Sequence, residues 1–154
     1  MSERAEVPLA RLLAMGYRWM IDELHVRLRA QGWDGIRPAY GFVLLVAREG
    51  PITPTALAAA LDVSKQAASK LADAMVADAL LARTRDPGDS RLRVLTLAAR
   101  GEQLLDAVEA IYADLEEEWA AVIGPTALRQ TRQRLTTALT AVHGGTLPVI
   151  RPTG

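Results

Sequence analysis

Apolar residues recur along this chain at helical spacing. Leu9, Leu13, Tyr17, Met20, Leu24 and Leu28 step by three and four, which predicts a helix over residues 8–31 with these side chains on one face. Leu12, Trp19 and Val26 form a second apolar line, about 90° away on the same helix. Two apolar faces predict two packing partners. Gly32-Trp33-Asp34-Gly35 breaks the pattern, and Pro38 suits the first turn of a second helix reaching about Arg48. Tyr40, Val43, Leu44 and Ala47 give that helix its core face. Thr53 is placed to cap a third helix, with Pro54 at its first position, running to about Leu61. Ser64 is placed to cap a fourth, to about Asp78.

The period then changes. Leu80, Leu81, Arg83 and Arg85 lead into the turn signal Asp86-Pro87-Gly88-Asp89, and residues 91–97 alternate imperfectly, so two short strands form a hairpin with a charged tip. Residues 98–123 predict one helix of ~39 Å, with Leu104, Val108, Ile111, Leu115, Trp119 and Val122 on one seam. Gly124-Pro125 breaks it. A last helix starts at Thr126 or its neighbour and runs to about Val142, with Leu128, Leu135, Leu139 and Val142 as its stripe. The fold class is mainly α with a small β-hairpin wing.

Residues 53–80 read as a helix-turn-helix. Ala58 allows close helix approach, Asp62 tolerates a left-handed turn, and Leu57, Leu61, Val63, Ala68, Leu71 and Met75 supply a small core. The hairpin directly after it makes this a winged helix-turn-helix. The second helix begins Ser64-Lys65-Gln66-Ala67-Ala68-Ser69-Lys70, polar, small and basic enough to enter a major groove ~12 Å wide. Gln66 suits adenine, Lys65 and Lys70 suit guanine or phosphate, Ser64 and Ser69 suit phosphates, and Ala67 leaves room for the approach. Taken alone, this is also what an ordinary solvated face looks like. Arg91 stands near the hairpin tip beside Arg93, where a guanidinium suits a narrow minor groove, and Asp89 is expected to hold that guanidinium by a charge-assisted hydrogen bond. Its plain alternative is a surface ion pair.

Composition narrows the classes. The 154 residues carry 18 Lys plus Arg, 18 Asp plus Glu, two His and no Cys, and half are apolar, which excludes a disordered chain and a disulfide framework. No stretch approaches ~18 uninterrupted apolar residues, and the N-terminus lacks a secretory pattern, which points to the cytoplasm. There is no nucleophile–base pairing, no Gly-rich phosphate loop and no metal spacing, so no enzyme, cofactor or metal site is expected.

At these residues the chain resembles the MarR family of transcriptional regulators. The resemblance rests on Leu57-Ala58 through Leu71, on Leu80-Leu81-Ala82-Arg83, and on Asp89-Ser90-Arg91 followed by Leu95, Leu97 and Gly101. It implies a homodimer on a double-stranded operator, with residues 8–37 and 98–142 as helical dimerisation part, 38–97 as winged helix-turn-helix and 143–154 as a flexible tail. It implies major-groove reading by the helix from Ser64 to Asp78, a minor-groove role for Arg91, and release from a near-palindromic operator by a small, aromatic or anionic effector. Two positions depart from the family pattern: Ala98 stands where a capping Thr is usual and Ala79 where Gly is common. Without cysteine, the redox-sensing branch is excluded.

Tyr17, Trp19, His25, Trp33, Arg37 and Tyr40 cluster near the first helix and its following loop, an aromatic wall with cations that suits an aromatic carboxylate. The competing assignment is core and dimer contact, with Trp19 at the dimer seam. A winged-helix module that contacts another regulator is the alternative function. The neutral total charge conceals blocks: residues 101–123 carry seven acids and no base, and residues 124–154 carry four bases and no acid. The acidic helix is expected to meet the basic one, within a chain or across a dimer. The positive field is then local to the recognition helix and wing.

Overall fold

The computed structural model describes residues 5–150. In chain order these form α1 (Leu9–Ala30), α2 (Pro38–Arg48), α3 (Pro54–Leu61), α4 (Lys65–Ala77), β1 (Leu81–Arg85), β2 (Arg93–Leu97), α5 (Ala99–Ile123) and α6 (Pro125–Val142). The signals that place the helices locally are visible in the backbone. Thr53 Oγ1 accepts from the Ala56 N–H at 3.1 Å, and Ser64 Oγ accepts from the Ala67 N–H at 3.0 Å, so each hydroxyl satisfies a donor the helix start would leave unpaired. Ala98 is an extended N-cap with no side-chain bond, which leaves α5 without that contribution.

The core gathers where α1, α2, α5 and the winged-helix elements meet. All four predicted α2 residues, Tyr40, Val43, Leu44 and Ala47, are buried. They pack with Leu24 and Leu28 of α1, Leu57, Leu61, Ala68 and Met75 of α3 and α4, and Leu104, Ile111 and Leu115 of α5. Val63, expected in the small core, is exposed, and Leu71 is only partly buried. The reason for Val63 is local: Asp62 takes the left-handed conformation at φ 55°, so the chain has left α3 before Val63 begins.

The predicted apolar face of α1 divides. Its C-terminal half enters the core, but Leu9, Leu12 and Leu13 stay exposed. No residue of α6 is buried, and Val122 is 84% and Val142 75% exposed. The stripe pattern is right for helices, yet one chain does not cover it. Acidic α5 does meet basic α6 within the chain, where Arg132 pairs with Glu116. Arg27–Glu118 at 2.6 Å and Arg48–Glu109 at 3.4 Å tie α1 and α2 to the same helix. Beyond α6, residues 146–150 have no regular structure, and Leu147 to Ile150 line a cleft with Phe42, Leu45 and Val46 of α2; residues 151–154 of the predicted tail lie outside the described residues.

Candidate nucleic-acid interface

The α3–α4 turn closes as sequence reasoning expects at Asp62. Val63 N–H bonds the Ala58 carbonyl at 3.1 Å and Asp62 N–H bonds the Ala59 carbonyl at 3.2 Å, which satisfies two of the last four carbonyls of α3 around one left-handed residue. Helix α4 then lays Ala68, Ala72 and Met75 against the core. The opposite side presents Lys65, Gln66, Ala67 and Lys70, all exposed, while Ser69 is partly buried. The Ser64 oxygen accepts the cap bond, so its hydroxyl hydrogen remains for an outside acceptor.

The wing is a two-stranded antiparallel hairpin with Leu81 opposite Leu97 and Arg85 opposite Arg93. Ile52 adds a bridge to Leu95 through bonds of 2.8 and 3.0 Å, anchoring the hairpin to the segment before α3. At the tip, Asp86 Oδ2 accepts from the Gly88 and Asp89 N–H groups at 3.0 and 2.9 Å. Asp89 Oδ1 accepts from the backbone N–H of Arg91 at 3.0 Å. The carboxylate therefore holds the Arg91 backbone, and the expected contact to its guanidinium is absent. This corrects the sequence expectation, because the backbone N–H two residues on closes an Asx turn that a long side chain need not complete.

The ion pairs of the described residues include none of Lys65, Lys70, Arg85, Arg91 or Arg93. Arg83 differs, being paired with Asp73 of α4. Five cations thus stand on the exposed face of α4 and the outer part of the wing without a carboxylate partner. Two of them, Arg85 and Arg93, directly oppose each other across the strands, an arrangement that destabilises a free hairpin. A polyanion relieves that repulsion.

Behind the winged helix, α1, α2 and α5 enclose a cavity of about 170 Å³. Of the six aromatic and cationic residues expected there, Tyr17, His25 and Arg37 line it. Trp19, Trp33 and Tyr40 do not. Trp19 packs on Trp119 with ring centroids 5.9 Å apart, Trp33 lies under Arg100, and Tyr40 is a buried core residue beneath the Arg37 guanidinium. Sequence proximity grouped them, but helical phase sends them to different sides. Sequence reasoning missed Phe42, Leu104, Leu105, Val108 and Tyr112, which also line the cavity. Leu104 and Val108 carry only the signal of the α5 seam, indistinguishable from core, while Phe42, Leu105 and Tyr112 lie off the apolar faces that periodicity marks. Burial lowers the pKa of His25 below its usual value, aided by the charge of Arg29 and opposed by a backbone bond to Ile36 and by Asp22. Burial, reinforced by Tyr17 and Glu109, pushes Tyr112 up to about 12, so its phenol stays protonated. The lining is mostly apolar with a neutral imidazole, a phenol and the Arg37 cation at its edges.

A family model described as MarR family matches residues 36–92, the span from the cavity wall to the wing. The transcriptional regulator Tm0710 from Thermotoga maritima is 28% identical, with a TM-score of 0.67, 88% of this chain and 93% of that chain being covered. Wild type MarR in its apo form from E. coli shares the fold at 24% identity and TM-score 0.68, covering 87% and 98%. A mutant MepR from S. aureus bound to oligodeoxyribonucleotide shares it at 21% identity and TM-score 0.63, covering 89% and 99%. No curated protein matches the sequence. Residues 36–92, the winged helix and the segment before it, are thus similar to the MarR family, and the fold around them is the one these solved structures share.

Proposed function

We propose that this protein is a homodimeric, sequence-specific DNA-binding repressor acting in the cytoplasm and released by a small effector. The observation that carries the reading is the set of five unpaired cations, Lys65, Lys70, Arg85, Arg91 and Arg93, on the exposed side of α4 and the wing. In this reading Lys65, Gln66, Ala67, Ser69 and Lys70 face the major groove, Ser64 donates to a phosphate, and Arg91 and Arg93 reach the adjacent minor groove and backbone, with Asp89 fixing the tip. MepR, seen with an oligodeoxyribonucleotide, supports it by fold.

The uncovered stripes support the dimer. Leu9, Leu12 and Leu13 of α1 and Leu139 and Val142 of α6 are exposed in one chain, and apolar helix faces left uncovered in this way suit an interface. Residues 8–37 and 98–142 supply that dimerisation part and residues 38–97 the DNA-binding part. Two copies related by a two-fold axis read half-sites about one helical turn apart, which makes the operator near-palindromic. The effector site is the cavity between these parts. Its apolar walls and the edge groups Arg37, His25 and Tyr112 fit a compact aromatic molecule, with an anionic substituent toward Arg37.

Selection of binding sites from a random duplex pool, with sedimentation of the protein alone and bound, tests the function. A near-palindromic consensus bound by two chains is the expected result. A monomer, or a pool that yields no consensus, overturns it.

A further inference from the structure

One contact at the C-terminal end of α4 comes from a side chain outside the DNA-facing surface. Arg100, the second residue of α5, donates from Nη1 to the backbone carbonyl of Asp78 at 2.6 Å. Asp78 is the C-cap of α4, where helix carbonyls lack internal partners. The same guanidinium lies over the ring of Trp33, 5.0 Å from its centroid. Trp33 sits in the α1–α2 loop, held by its N–H on the Leu28 carbonyl at 2.9 Å. Arg100 therefore touches three separate pieces of the molecule: its own helix α5, the end of α4 and the loop beside the cavity.

The surroundings make this junction tight. The Ala98 N–H bonds the Leu80 carbonyl at 3.1 Å. A Cβ on Gly101 would overlap that same carbonyl oxygen, so the backbones of α5 and of the α4–β1 turn meet without a side chain between them. Arg100 has no carboxylate partner among the described ion pairs. Its two contacts, a carbonyl and an aromatic face, use the planar fork and the weak hydration that distinguish arginine from lysine.

We propose that Arg100, stacked on Trp33, is a positioning residue for DNA recognition that clamps the C-terminal end of α4 to α5 and fixes the angle at which the recognition helix leaves the dimer part. The lever is long enough to matter. Helix α4 spans 13 residues, about 20 Å, so a tilt of about 10° at the clamped end moves the Ser64 end by about 3 Å. That exceeds the tolerance of a base-edge hydrogen bond. In a dimer both helices tilt, and the separation of the two reading heads is no longer single-valued. The clamp rests on the proposed dimeric DNA-binding function.

The test compares operators of native spacing with operators carrying one base pair more or fewer between half-sites. Affinities are read by fluorescence anisotropy for the wild type, Arg100→Gln, Arg100→Lys and Trp33→Leu, with thermal melting of each. The wild type is expected to lose about tenfold or more on either altered operator, since half-site spacing is a geometric constraint. Arg100→Gln is expected to cut that penalty to about threefold or less while binding the native operator more weakly. Arg100→Lys restores part of the penalty, because an ammonium reaches the carbonyl but stacks poorly. Trp33→Leu falls between wild type and Arg100→Gln, and adding it to Arg100→Gln changes nothing further. A folded Arg100→Gln protein with the full spacing penalty reduces Arg100 to a helix cap and overturns the clamp. If Arg100→Gln does not fold, Arg100→Lys and Trp33→Leu decide: penalties equal to the wild type's in both overturn it as well. Failure of the wild type to bind DNA, or to sense spacing, appears before any substitution; it defeats the dimeric reading and the clamp with it.

Discussion

Arg85 and Arg93 face each other across the two strands of the wing, both exposed and neither joined to a carboxylate among the described ion pairs. Opposed like charges cost a hairpin about 0.2–1 kcal/mol, a cost that is removed when phosphates lie between or beside them. Arg93→Thr should therefore raise the stability of the free protein by a few tenths of a kcal/mol and weaken DNA binding at the same time. The log–log salt slope of binding should become shallower by about 0.9 for each phosphate that is no longer neutralised. Denaturant unfolding and salt-dependent anisotropy measure the two effects. A variant that is less stable and keeps its salt slope contradicts the assignment.

The turn after α4 stores local strain. Ala79 has φ 58°, and around it Leu80 N–H bonds the Met75 carbonyl at 2.9 Å and Ala79 N–H the Val76 carbonyl at 3.0 Å. This closure ordinarily uses glycine, because a Cβ in the left-handed region is crowded by the following carbonyl. Ala79→Gly is expected to stabilise the protein by about 1 kcal/mol, the relieved strain outweighing the entropy of the unfolded glycine. The denaturant midpoint should rise with no change in slope.

Gly101→Ala should act in the opposite direction. The new Cβ meets the Leu80 carbonyl oxygen and the Leu97 side chain, and a backbone atom cannot move aside cheaply. A loss of about 1–3 kcal/mol is expected, as for other overpacked sites. Equal stability of this variant would show that α5 and the α4–β1 turn are not in contact.

Much of this organisation is legible in the sequence because it is local. Thr53 and Ser64 announce caps, Pro38 and Pro54 announce helix starts, and the Asp86–Asp89 run announces the turn. Asp62 at the left-handed position follows from its short polar side chain. What escapes is set by packing between distant segments. Leu104 and Val108 line the cavity from α5, and no local pattern separates a cavity wall from a core stripe. Trp19 and Tyr17 are two residues apart, yet one packs on Trp119 and the other lines the cavity. The Arg100 contact to Trp33 joins residues 67 positions apart, which periodicity cannot reveal.

His25 gives the fold a pH dependence whose sign is fixed. Its folded pKa lies below the unfolded value of 6.5, chiefly through burial. The unfolded chain then binds the proton more readily, so stability is full above about pH 6.5 and declines as pH falls toward the folded pKa. His25→Asn should flatten the part of the stability curve on the acid side of about pH 6.5. Parallel thermal melts of wild type and variant across that range decide it. Identical curves would remove His25 as the source.

Footprinting of the selected operator with wild type and Arg91→Ala reports where the protein touches each groove, and so bears on DNA recognition ahead of any other experiment. Two protected major-groove segments about one helical turn apart, flanked by minor-groove protection, are expected for the wild type. Arg91→Ala should remove the flanking protection and weaken binding about tenfold while melting at the wild-type temperature, because the Arg91 guanidinium has no partner within the described fold. No protection by the wild type, or flanking protection that survives in Arg91→Ala, would contradict DNA recognition by this helix and wing.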